Sequence, residues 1–240
     1  MKIRLDTRPV VLFGGFVVLA LLVFLPMRLV LGLVGLGDYG LSARAVTGPV
    51  WYGRLVEARI GDLALGDIRA SLSPFQLLLG RVRLGLSGAP QGERPGLSGA
   101  ITTSRYSRGI DDMTGSVPTG RVFAPLPVNR IDLEGVSARF DGGVCATAQG
   151  RVKAQLSGSI AAIALPQAMS GTLKCEGGAL VVPLVSQAGT ETVTLNIQGN
   201  GRYRAILDIQ TSDPATGQKL GLVGFQQNGA GYRLSTEGRF

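Results

Sequence analysis

Histidine is absent from this 240-residue chain, and the four charged residue types together make up only 17% of it. Without imidazole there is no Ser-His-Asp or Cys-His nucleophile arrangement and no histidine general base. Cysteine is nearly absent too, limited to Cys145 and Cys175. With no CxxC spacing and no histidine, these two do not form a metal centre. Aromatic residues are 6% of the chain, too few for a platform that stacks single-stranded bases. The glycine-rich stretch from Gly88 to Gly96 lacks the Gly-Lys-Ser/Thr ending of a phosphate-binding loop. No Ser-x-x-Lys motif with its usual companions is present. Asp111-Asp112 is an acidic pair in Gly/Ser/Thr-rich text and reads as a solvated turn. The expectation is a non-enzymatic protein with no catalytic residue, cofactor, metal or small-molecule substrate.

The net charge is +8, but the basic residues are dispersed. No window forms the dense stripe that a nucleic-acid reader needs. A mildly basic surface facing anionic lipid or another protein is the better reading, with a merely solvated surface as the bland alternative.

One long apolar run stands out. Val10 to Met27 is 18 residues without a charge, about 27 Å as a helix, close to the hydrocarbon thickness of a bilayer. Lys2, Arg4 and Arg8 precede it, which places the N-terminus in the cytoplasm and the chain beyond about residue 37 on the far side. Pro26 lies near the end of the span, where it is tolerated, and Arg28 snorkels to the headgroups. Ala43-Arg44-Ala45 fits a signal-peptidase site but lies well past the run, so a retained anchor is expected rather than a cleaved signal.

Glycine is abundant, at 36 residues, roughly twice its usual share, and it suits short strands and tight turns. Period-two alternation marks strands at residues 55–60, 62–72, 81–86, 97–103, 131–140, 151–159, 192–198 and 204–210. Gly61-Asp62 and Gly66-Asp67 read as turns, and Ser73-Pro74 to Gly80 as a short helical turn. Residues 104–120 show little periodicity. A segment at 122–128 is demoted to an edge or connector by two prolines. A final strand pair, Leu220–Phe225 and Tyr232–Thr236, is joined through Asn228-Gly229, and no segment after residue 40 has helical periodicity over three turns. The fold expected is mainly β: a single N-terminal transmembrane helix followed by a curved, mostly antiparallel sheet. On this topology Cys145 and Cys175 lie in an oxidising space. A disulfide is favoured over two buried thiols, closing a loop of about 30 residues worth about 3 kcal/mol.

Residues Val46 to Arg54 (VTGPVWYGR) contain Gly48, Trp51, Gly53 and Arg54 in a Gly-x-x-Trp-x-Gly-Arg pattern. Downstream come Leu72 to Arg81 (LSPFQLLLGR), the cysteine pair, and Gly199 to Ala205 (GNGRYRA). In this order they resemble the N protein of the bacterial type II secretion system, over most of the chain. Pro49 departs from the family's small or β-branched residue there and makes an irregular strand edge. Trp51 admits two readings, an interfacial or core anchor and a partner contact. The resemblance implies an accessory component of the inner-membrane secretion assembly, single-pass, N-terminus cytoplasmic, C-terminal domain periplasmic. It would help folded periplasmic proteins cross the outer membrane by tethering and by contacts with other inner-membrane secretion subunits and membrane lipid. The corresponding divisions are a tail at 1–9, the membrane helix at 10–31, a juxtamembrane segment at 32–45 and the periplasmic β domain at 46–240. Gly48, Trp51, Gly53 and Arg54 form the candidate interface or membrane-proximal motif. A second resemblance, to membrane-anchored proteins of the AsmA family, shares the Gly-x-x-Trp-x-Gly opening and implies a sheet that shelters or transfers lipid.

Overall fold

The structure is a computed structural model. It describes residues 9–29, 41–60, 63–78, 80–90, 95–119, 128–160, 163–164, 166–229 and 231–239. Helix α1 spans Pro9–Val23. The chain then forms β1 (Leu41–Ser42), β2 (Ala45–Thr47), β3 (Gly53–Ile60), β4 (Leu63–Leu72), helix α2 (Pro74–Leu78), β5 (Val82–Gly88), β6 (Ser98–Thr103) and β7 (Ser107–Pro118). It continues with β8 (Val128–Asp141), β9 (Val144–Leu156), β10 (Ser159–Ile160), β11 (Ile163–Ala164), β12 (Ala168–Thr172), β13 (Lys174–Glu176) and β14 (Ala179–Ser186). The last elements are β15 (Glu191–Ile197), β16 (Arg202–Gln210), helix α3 (Pro214–Leu222), β17 (Gln226–Asn228) and β18 (Gly231–Arg239).

All but β10 and β11 join one sheet of sixteen strands, ordered β1-β3-β4-β5-β6-β7-β8-β9-β12-β14-β15-β16-β18-β17, with β2 beside β3 and β13 beside β14. Every pairing is antiparallel, as short connections between successive strands require. Among the described residues the two end strands do not pair with each other, so the sheet stays open. Register partners stack aliphatic side chains in rows across it: Leu184, Val193, Leu207 and Leu234 form one row, Leu72 and Leu84 part of another. This face is buried from β3 to β18 as a single hydrophobic cluster. A flat sheet with no second layer would leave that face wet, so the sheet coils around it. The opposite face carries cross-strand ion pairs such as Arg204–Glu237 and Asp208–Arg233, each directly opposite in register.

Expected strands fall largely in place, with three corrections. The 104–120 stretch contains β7, twelve residues long, and Asp111-Asp112 lies on it rather than in a turn. Register shifts between Ile110 and Gly115 hide its alternation, and Asp112 has a positive φ of 49°. Gly66-Asp67 is not a turn either: β4 runs straight through it, with a bulge in β3 opposite. Leu220–Phe225 is not a strand. Residues 214–222 are helix α3, started by Pro214 and capped by Asp213, whose carboxylate accepts from the amides of Ala215 and Thr216. Leu220 is fully buried against the end of the aliphatic face, with Phe225 beside it. Asn228-Gly229 does turn β17 into β18. Gly61-Asp62 and the segment from 120 to 127 lie outside the described residues.

The N-terminal span differs most from expectation. Helix α1 has 15 residues and ends at Val23, before Pro26. No helix among the described residues is long and apolar enough to cross a membrane. Proline removes an amide donor and restricts the residue ahead of it, so Leu25 and Pro26 leave the helix. Residues 1–8 and 30–40 lie outside the described residues, and with them Lys2, Arg4, Arg8 and part of the expected 10–31 and 32–45 segments.

Candidate membrane-proximal site

The Gly48–Arg54 motif is the joint between α1 and the sheet. Pro26 and Pro49 face each other in an antiparallel bridge. The hydrogen bonds flank it: Met27 N donates to Gly48 O at 3.2 Å, and Val50 N to Leu25 O at 2.8 Å. The two prolines thus occupy a non-hydrogen-bonded pair, the one register in which neither needs an N–H. Pro49, the departure from the family pattern, is accommodated there, and its carbonyl accepts from Tyr52 N at 3.0 Å.

Each motif residue has a visible task. Gly48 adopts φ +89°, and a Cβ there would lie 2.7 Å from the Tyr52 carbonyl oxygen. Only glycine meets both conditions without strain. Trp51 donates its indole Nε1–H to Val23 O at 3.2 Å, satisfying a carbonyl at the helix terminus. Gly53 lies under Met27: a Cβ would come within 2.8 Å of the Met27 Cγ. Val50 and Met27 are both buried, and Leu72 N donates to Val50 O, joining the end of β4 to the same knot.

Arg54 works one step further along. Its Nη2 lies 3.2 Å from Asp67 Oδ2, while Asp67 Oδ1 accepts from Glu57 N at 3.1 Å. Glu57 is the bulged residue of β3, with φ +51°, so Asp67 holds the bulge that the extra residue creates. The Glu57 amide and the Arg54 guanidinium keep the Asp67 carboxyl below its ordinary value. Glu57 turns its own carboxylate to Arg44 at 2.9 Å.

Cys145 and Cys175 form a disulfide with Cα atoms 5.5 Å apart. It fastens β13 to β9 beside the hydrogen bond from Cys145 N to Gly178 O. The cysteines and the Trp51 motif are separate features. The sequence marked the motif but not its receiving partners Leu25, Met27 and Val50, nor Glu57 and Asp67. Pro26 and Pro49, the two residues on which local ladders fail, were the available signal.

Among the described residues no cluster of His, Cys, Asp or Glu suits a metal ion. The arrangement joins an apolar helix to an open sheet, and the class defined is a mainly β protein carried on a hydrophobic N-terminal element. A family model described as type II secretion system (T2SS), protein N matches residues 39–235. The chain belongs to that family. Membership ties it to type II secretion as an accessory protein and to the cell envelope, in a family not known as enzymatic. No curated protein and no solved structure matches it.

Proposed function

We propose that the protein is a non-enzymatic, membrane-anchored accessory of type II secretion. In this reading it holds its sheet on the periplasmic side of the inner membrane and offers it to neighbouring secretion subunits. One observation carries the proposal: α1 is apolar throughout, and its described side chains are uncovered. Phe13 and Phe16 are 73% and 72% exposed, and Leu12, Val17 and Val23 are exposed too. A helix apolar all round is stable in lipid or inside a protein, not in water. The cations at Lys2, Arg4 and Arg8 support a cytoplasmic N-terminus, and a disulfide suits an oxidising compartment. The open sheet supports contact with a subunit, because the outer edge of β18 beyond Arg233 pairs with no strand among the described residues. Such an edge accepts an added strand.

The lipid-sheltering alternative lacks support, since the aliphatic face packs on its own side chains, with Met169 and Leu207 each 1% exposed. Tagged protein recovered from crosslinked membranes tests the main reading. Co-purification of inner-membrane secretion subunits is expected, and recovery of none refutes the contact role.

A further inference from the structure

In an antiparallel meander alternate connections share one rim. The rim at which α1 joins therefore also holds α2, the β6–β7 turn at 104–106 and the β8–β9 turn at 142–143. Hydrogen bonds run along it, from Ser73 N to Arg83 O and from Gly142 N to Tyr106 O. Large apolar side chains face solvent there, among them Phe75 at 78% and Leu77 at 38% on α2, and Tyr106 at 74% on the turn. Singly, exposed apolar residues are ordinary. Here they stand together on the rim that carries the uncovered helix.

Arginines accompany them. A cleft of about 260 Å³ on the polar face beside α2 is lined by Arg81, Arg83 and Arg139 with hydroxyls of Thr102 and Ser107. Gly109 lies between Thr102 and Arg139 in register, and a Cβ there would lie 2.5 Å from the Ala138 carbonyl oxygen, so glycine lets the strands approach beside the cleft. Asp111 meets Arg83 at 2.6 Å and Asp141 meets Arg139 at 3.4 Å. Arg81 and Arg105 make no ion pair among the described residues, and Arg105 lies over the Tyr106 ring, 5.6 Å from its centroid. Apolar side chains interleaved with unneutralised guanidinium groups are the chemistry of a membrane–water boundary.

We propose that this rim lies flat on the bilayer, with Phe75, Leu77 and Tyr106 entering the headgroup region and Arg81 and Arg105 holding the phosphates of anionic phospholipid. The proposal rests on the anchoring reading and adds a second, charge-selective contact to it.

The test uses the full chain on vesicles of phosphatidylcholine alone or of phosphatidylcholine with phosphatidylglycerol. Quenching of Trp51, the single tryptophan, by brominated lipid reports anchoring at the joint. Amide exchange at 74–78 and 104–106 reports the rim, with the opposite-rim turn at 187–190 as control. Exchange at the rim slows several-fold more on phosphatidylglycerol vesicles, while the control is unchanged. In Arg81→Ala/Arg105→Ala that extra slowing is lost, and Trp51 quenching persists. Equal exchange on both vesicles, with Trp51 quenched, overturns the rim contact and leaves anchoring intact. Trp51 unquenched with the rim still protected refutes anchoring alone, and loss of both signals refutes both. Equal slowing by inorganic phosphate on phosphatidylcholine vesicles shows a free-anion site and overturns the lipid assignment.

Discussion

Helices α1 and α3 sit at opposite rims of the same sheet. Helix α3 begins with a capping aspartate and a proline at its first turn, and it buries Leu220 while leaving Leu222 exposed. Helix α1 has no acidic residue in its first turn and no basic residue in its last, and its described side chains are all exposed. One was selected for water on one side and protein on the other; the other has no polar side to offer. The sheet meets them differently as well. It receives α3 with a buried leucine, and among the described residues it holds the α1 segment at its terminus, through Trp51 and Pro49.

Four substitutions bear on this contrast. Leu220→Ala empties a fully enclosed position and is expected to cost about 4 kcal/mol of stability, read by denaturant titration. Phe16→Asp is expected to leave the denaturation midpoint of the sheet unchanged. It weakens membrane association by about 3 kcal/mol, read by flotation with vesicles. If instead Phe16→Asp unfolds the sheet while Leu220→Ala does not, the assignment of the two helices is reversed. Gly48→Ala forces a side chain into a positive-φ position against a carbonyl. A loss of about 2 kcal/mol is expected, together with faster amide exchange at Met27 and Val50.

The smallest effect concerns the start of α3. The Thr216 hydroxyl, followed by the amides of Ala215 and Thr216, holds the Asp213 carboxyl below its ordinary value. A depressed folded value means that this stabilisation is complete above the ordinary carboxylate range. It disappears as pH falls through the depressed value. Asp213→Asn therefore flattens the acid limb of stability measured by thermal melts, and leaves neutral-pH stability nearly unchanged. An unaltered acid limb would show that the cap contributes nothing.

Legibility followed the range of the forces involved. Alternation is local, so β4, β5, β8, β9, β15 and β16 were readable, and the two cysteines were readable as a pair. Strand β7 was not, because Asp112 and Gly115 adopt positive φ values that break the period of two. Helix α3 was missed because Gly217 and Gly221 dilute its pattern, although Asp213-Pro214 is a start signal that weighs more than the apolar residues after it. The joint was half legible. Gly48, Trp51, Gly53 and Arg54 form a contiguous motif, but Val23 to Met27 reach them across more than twenty residues, and no local pattern announces that pairing.

The facing prolines at 26 and 49 have a mechanical consequence. A flexible tether would let the sheet swing like a flag on a cord. Two pyrrolidine rings locked in φ and clasped by backbone bonds on both sides act as a splint, so a tilt of the helix steers the whole sheet with it.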